Sequence, residues 1–179
     1  SMLNEQLTKV AHQLEVHVCA SPGETIEAVQ GAEVVISGAV PVTRDVIEHM
    51  DATKAILGTG HGFDYIDHEA ATDNDIMVAN NAGFCTDEVA NHVILLLLAC
   101  AKNLTVMHNS LREGRWESPI GSFPLPPITD QVLGLVGFGN IARATARRAF
   151  AFNMEIIVSD PFLPPWVAQE YRVELVPLE

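Results

Sequence analysis

Apolar positions along the chain follow two alternating periods. Leu7, Val10, Ala11 and Leu14 recur at helical spacing and predict a helix over Leu3–Leu14. Short β-rich runs follow at Glu15–Cys19, Glu33–Ser37, Lys54–Gly58 and Ile76–Ala79, with helical stretches between them at Thr25–Gln30, Thr43–Met50 and Asp67–Thr72. Strands separated by such helices need crossover connections, so a parallel sheet covered on both faces is expected. A longer helix is predicted from Thr86, its N-cap, to about Asn109, with Asp87 and Glu88 where the helix dipole favours negative charge. Its apolar run Val93–Ala101 has nine residues. A bilayer span needs about 20, so the run reads as a buried helix. Gly114–Asp130 holds four prolines and two glycines and is expected to be a loop or arm. Alternation resumes with strand Val132–Val136, helix Asn140–Phe152, strand Glu155–Ser159 and a short strand at Val173–Val176. The expectation is two α/β parts, 1–101 and 102–179, linked by a helix over 85–109.

Composition narrows the function. At 48% hydrophobic and 18% charged residues the chain can bury a core. A net charge of −13, from 23 acidic and 10 basic residues, argues against nucleic acid or an anionic membrane as partner. Cys19, Cys85 and Cys100 have no CxxC spacing, and a reducing cytoplasm is the simplest setting. No charged-then-apolar leader opens the chain, and Ser1-Met2 reads as an expression scar.

The candidate chemistry lies at Gly137-Phe138-Gly139-Asn140-Ile141-Ala142, which follows the strand ending Leu133-Gly134-Leu135-Val136 and opens a helix. A GxGxxA match is weak in isolation, but here a strand precedes it, a helix follows, and a second strand ends in an acid. Gly137 allows the sharp turn, and Gly139 lets a pyrophosphate approach the backbone. The amides of Asn140 and Ile141 open a helix whose positive end faces the phosphates. Ala142, Ala146 and Ala149 with Phe150 form a small-residue stripe suited to packing on the sheet. Arg143, Arg147 and Arg148 are read as a solvated face, with phosphate contact the alternative. Asp160, twenty-one positions after Gly139, can accept from ribose hydroxyls and repel a 2′-phosphate, which favours NAD over NADP. Capping the turn before Pro161 is compatible with this role, and the cofactor role is preferred.

The stretch Gly134–Arg143 continuing to Asp160-Pro161-Phe162 resembles the D-isomer-specific 2-hydroxyacid dehydrogenases, in the branch with phosphoglycerate dehydrogenases and C-terminal binding proteins. Further matches, in family order, are Gly60–Asp67, Val78–Ala90 and Leu111–Trp116. The resemblance implies a flavodoxin-like substrate domain and an incomplete Rossmann domain, a doubly wound parallel sheet that binds NAD. It implies hydride transfer between NAD(H) and a 2-hydroxy or 2-keto acid, with Gly60, His61 and Gly62 holding the substrate carboxylate through backbone amides and Thr86 near the nicotinamide. A homodimer formed through the NAD domain and its arm is also implied. The sequence departs from the pattern at His61, Tyr65, Ala82 and Asn91. A catalytic acid is one reading of His61, and an amide donor with a tolerated side chain is preferred. No position after Asp160 matches the family's arginine, glutamate and histidine. The chain alone is therefore expected to bind weakly, to lack turnover and to self-associate. A non-catalytic nucleotide-binding or interaction module is the alternative.

Other constellations carry less. His68-Glu69 begins an HExxH pattern, but Thr72 stands where the second histidine belongs, so a polar turn entering a helix is preferred and no metal is expected. Ser110 and Ser118 have no patterned partners. Cys85 and His92 read as buried packing residues, and Trp116 as either an interface anchor or local packing.

Overall fold

The computed structural model describes residues 2–11, 13–116 and 125–179. Ser118 and the middle of the proline-rich loop, 117–124, lie outside the described residues. The chain forms two compact units, Ser1–Phe84 and Cys85–Glu179. The linking helix falls in the second unit rather than the first, because its contacts are with a helix of that unit.

The first unit begins with helix α1 (Met2–Leu7), which stops well short of the expected Leu14. No strand forms at Glu15–Cys19. Val16 and Val18 are exposed, and the Glu15 carboxylate takes hydrogen bonds from Gln13 and the His17 ring. Alternation alone did not make a strand there, because the segment finds no ladder partner. Helix α2 (Pro22–Val29) is capped by Ser21, whose hydroxyl accepts from Glu24 N. Strands β1 (Val34–Ser37), β2 (Ala55–Gly58) and β3 (Met77–Asn80) then pair in parallel in that order, with helices α3 (Arg44–Ile47) and α4 (His68–Asp73) in the crossovers. The register aligns Val35, Ile56 and Val78, and these face a core of Val42, Val46, Ile47, Ile66, Ala70 and Ala71. The opposite face carries exposed Val34, Ile36 and Met77. The expectation of two covered faces therefore fails in this unit.

The second unit opens with helix α5 (Thr86–Ala101), which stops at Lys102. Asn103 takes a left-handed conformation (φ 49°), and α6 (Leu104–Arg112) leaves at 62°. The continuous helix expected to Asn109 is thus broken by a residue type that tolerates this backbone better than most. No single helix is long and apolar enough to cross a membrane. After a 3-10 turn at Ile128–Asp130 come β4 (Val132–Val136), α7 (Asn140–Phe150), β5 (Glu155–Ser159), α8 (Pro165–Tyr171) and β6 (Glu174–Leu175). The strands are parallel in the order β4-β5-β6, and among the described residues one side of β4 is an edge. Phe138, Ala146, Ala149, Ile156 and Val158 form the core, and Ile94 and Leu97 of α5 pack against it. The alanine stripe of α7 therefore does face the interior. The other face of the sheet exposes Val132 and Val136. Contrary to its apolar composition, α5 buries only Ala90 fully, while Leu95 and Leu96 are 56% and 52% exposed.

Candidate functional site

β4 ends at Val136 and the chain turns at once. Gly137 adopts φ +82°, which L side chains rarely take, while its N–H donates to Ser159 O at 2.8 Å. Gly139 is the N-cap of α7 in extended backbone, and a Cβ added there would meet no protein atom within 4 Å. The space beside it is therefore open, so a side chain would obstruct a ligand and not the fold. The first main-chain bond in α7 runs from Arg143 N to Gly139 O, and the N–H groups of Asn140 and Ile141 have no acceptor among the described residues. Those amides carry the partial positive charge of an eleven-residue helix. The cradle fits a diphosphate.

Asp160, just after β5, closes the turn from the other side. Its Oδ2 accepts from Phe138 N at 2.8 Å and its Oδ1 from Phe162 N at 2.9 Å. The Phe162 N–H and then the Phe138 N–H hold its carboxyl below the ordinary 3.8; partial desolvation opposes them, and the Arg143 charge adds a smaller lowering. Asp160 is thus ionised at neutral pH, and each oxygen keeps a second lone pair for a ribose hydroxyl. The capping role that the sequence reading held compatible with ribose acceptance is thus present, through the Phe138 and Phe162 N–H groups.

Two arginines depart from the solvated face expected of them. Arg143 is half-buried: its Nε donates to Phe138 O at 2.9 Å, and its guanidinium carbon sits 5.8 Å and 5.7 Å from the ring centres of Phe138 and Tyr171. Arg148 donates to Asn91 Oδ1 (2.7 Å), Asp87 Oδ1 (2.8 Å) and Ala144 O (2.9 Å), fastening α5 to α7. Only Arg147 of the three is exposed.

Thr86 is the first residue of α5 rather than its cap; the cap is Cys85, which is half-exposed rather than buried. Beside Thr86, Asp87 is the residue that Arg148 holds. His92 and Trp116 are both exposed, so neither packs in a core.

In the first unit, Gly60-His61-Gly62 follows β2. Asn80 Nδ2 donates to His61 O at 2.6 Å and Asn81 N to Gly60 O at 3.1 Å, so the loop's carbonyls are turned toward the end of β3. The N–H groups of Gly60, His61 and Gly62 donate to nothing among the described residues. The His61 Nδ1 donates to Ala82 O at 2.7 Å, because a carbonyl can only accept. Tyr65 bonds Ser37 O at 3.2 Å across Gly58, where a Cβ would lie 2.8 Å from its hydroxyl. Asp67 caps α4 through Ala70 N at 2.8 Å, so this acid enters the helix start as a cap. Among the described residues no three His, Cys, Asp or Glu side chains gather as a metal site.

The model of a family described as D-isomer specific 2-hydroxyacid dehydrogenase, catalytic domain, matches residues 2–175. The chain is 36% identical over 178 residues to D-3-phosphoglycerate dehydrogenase of Methanocaldococcus jannaschii, covering 97% of this chain and 34% of that one. Among solved structures it is similar to an acyclic imino acid reductase in complex with NADPH and D-Arg (TM-score 0.85, 24% identity, 98% of this chain and 56% of that one). It is also similar to D-lactate dehydrogenase from Aquifex aeolicus complexed with NAD and lactic acid (TM-score 0.81, 20% identity, 99% and 52%). These structures share the Rossmann-like parallel α/β fold. The chain spans between about a third and a half of the length of the curated relatives it matches.

Proposed function

Because the chain belongs to the D-isomer specific 2-hydroxyacid dehydrogenase family, we propose that it binds a nicotinamide dinucleotide at the Gly137–Ile141 turn and prefers NAD to NADP. The observation that carries this reading is the pair of α7 amides, Asn140 and Ile141, left without protein acceptors beside an open Gly139. They donate to the diphosphate, where charge-assisted bonds are stronger than neutral ones. The ionised Asp160 carboxylate accepts from the adenosine ribose and opposes a 2′-phosphate. One relative's structure holds NADPH and another NAD, so the preference rests on Asp160 and not on kinship. Thr86 is assigned to the nicotinamide end.

Bound NAD would supply the hydride acceptor for C2 of a 2-hydroxy acid. The acid's carboxylate is assigned to the N–H groups of Gly60, His61 and Gly62, which have no acceptor among the described residues. The His61 ring, already bonded to Ala82 O, serves the loop's shape in this reading and is not assigned a proton. A homodimer is proposed on the exposed Leu95 and Leu96 of α5. The three unpaired cysteines support a reducing compartment such as the cytoplasm.

A fluorescence titration of the purified chain with NADH and then NADPH tests the reading. Saturable NADH binding, weaker for NADPH, is expected. No binding of either at millimolar concentration would refute it.

A further inference from the structure

The loop's central residue, Phe138, is held at three points. Its N–H goes to Asp160 Oδ2 (2.8 Å), and its carbonyl accepts from Arg143 Nε (2.9 Å). Its ring is 1% exposed and meets Tyr171 edge-on, with centres 5.3 Å apart and planes at 90°. Arg143 lies over both rings, at 5.8 and 5.7 Å. The oxygen it reaches is a main-chain carbonyl and not a carboxylate, so its geometry is that of a brace between the first turn of α7 and the turn preceding it.

The brace has a directional consequence. In a planar trans peptide the C=O and the following N–H point in opposite directions, and no described peptide bond is cis. With the Phe138 carbonyl drawn to Arg143, the N–H of Gly139 in the same peptide unit is turned the other way. That N–H has no acceptor among the described residues. Gly137 and Gly139 flank Phe138, so the chain on either side has little steric preference of its own. The orientation therefore depends on what grips the peptide between them.

We infer that Arg143 is a positioning residue for the dinucleotide turn, holding the Phe138–Gly139 peptide so that the Gly139 N–H joins those of Asn140 and Ile141 as a third donor to a diphosphate. The inference rests on the function proposed above. Arg143 acts through its Nε–H and the peptide, and makes no contact with the phosphates itself.

The test uses the whole 179-residue chain, with ADP and adenosine as probes and the Gly139 amide followed by NMR. Wild type binds ADP with a shift of the Gly139 amide resonance. Arg143→Met keeps the apolar stem but has no donor, and raises the Kd for ADP by about three- to tenfold while the Kd for adenosine changes less than about twofold. Arg143→Gln places an amide nitrogen at the same number of bonds from Cα as Nε, without charge, and recovers most of the ADP affinity and the Gly139 shift. Equal weakness of the Met and Gln variants would mean that charge is what acts, and would overturn the inference, as would unchanged ADP binding by Arg143→Met. Should the Met variant fail to fold, Arg143→Gln decides: retained ADP affinity with the Gly139 shift supports the brace, and loss of either overturns it. A wild-type chain that binds no ADP overturns the proposed function as well, whereas the other failures overturn the brace alone.

Discussion

Replacing Gly139 with alanine separates the fold from the ligand. The residue sits at φ −76°, ψ −167°, extended backbone that any residue adopts, and the new Cβ meets no protein atom within 4 Å. Folding stability should hold or rise by about 0.4–1 kcal/mol, since alanine reduces the freedom of the unfolded chain. The methyl group occupies the space a pyrophosphate needs to reach the Asn140 and Ile141 amides. Losing two charge-assisted hydrogen bonds, each about 1.5 kcal/mol or more, costs roughly 3 kcal/mol. At about 1.4 kcal/mol per decade this is roughly a hundredfold in Kd. Gly137→Ala provides the contrast, because φ +82° places its cost in the fold at about 1–2 kcal/mol. NADH titration and thermal unfolding, run on both variants, read the two effects separately. Wild-type NADH affinity in Gly139→Ala would refute the reasoning, and so would a marked loss of its thermal stability.

Asp160→Asn removes the charge that opposes a 2′-phosphate, and the ratio of NADPH to NADH dissociation constants should fall toward one in paired titrations. The folded-state value of Asp160 is depressed, so its contribution to stability is complete above the ordinary 3.8 and is lost as pH falls through the lower folded value. Urea unfolding from about pH 5 downward should be less steeply pH-dependent in the asparagine variant. Leu95→Lys combined with Leu96→Lys should convert a dimer to monomer in sedimentation velocity; a wild-type chain already monomeric would refute the α5 interface. Gly58→Ala places a Cβ 2.8 Å from the Tyr65 hydroxyl and should break its bond to Ser37 O. The cost is about 1 kcal/mol, visible as a lowered melting temperature.

What was legible in the sequence follows from which interactions are local. β1 to β5 lie within a residue or two of the apolar runs that predicted them, because alternate residues of each strand must face a core. The capping role of Asp160 was readable because the acid sits beside the Phe162 N–H it accepts from, whereas the Asp67 cap, equally local, was passed over as part of a polar turn. The roles of Arg143 and Arg148 were not readable. Charged residues on a helix read as solvated, yet the Arg148 partners Asn91 and Asp87 lie 57 and 61 positions away. Helix α5 misled in the other direction. Its leucines suggested burial, but composition does not show whether anything lies opposite a face, and Leu95 and Leu96 face solvent. The break at Asn103 turns on one left-handed residue, which helical periodicity does not register.

One strand has a further consequence for handling the protein. β4 is Val132-Leu133-Gly134-Leu135-Val136, five residues without a charge, and it is paired on one side only among the described residues. Natural sheets guard such margins with lysine, proline or a bulge, and β4 has none of these. Its outer main-chain groups, unpaired among the described residues, can accept another extended segment of this or another chain, so strand addition would occur there. A lysine at exposed Val132 is the substitution that would slow it.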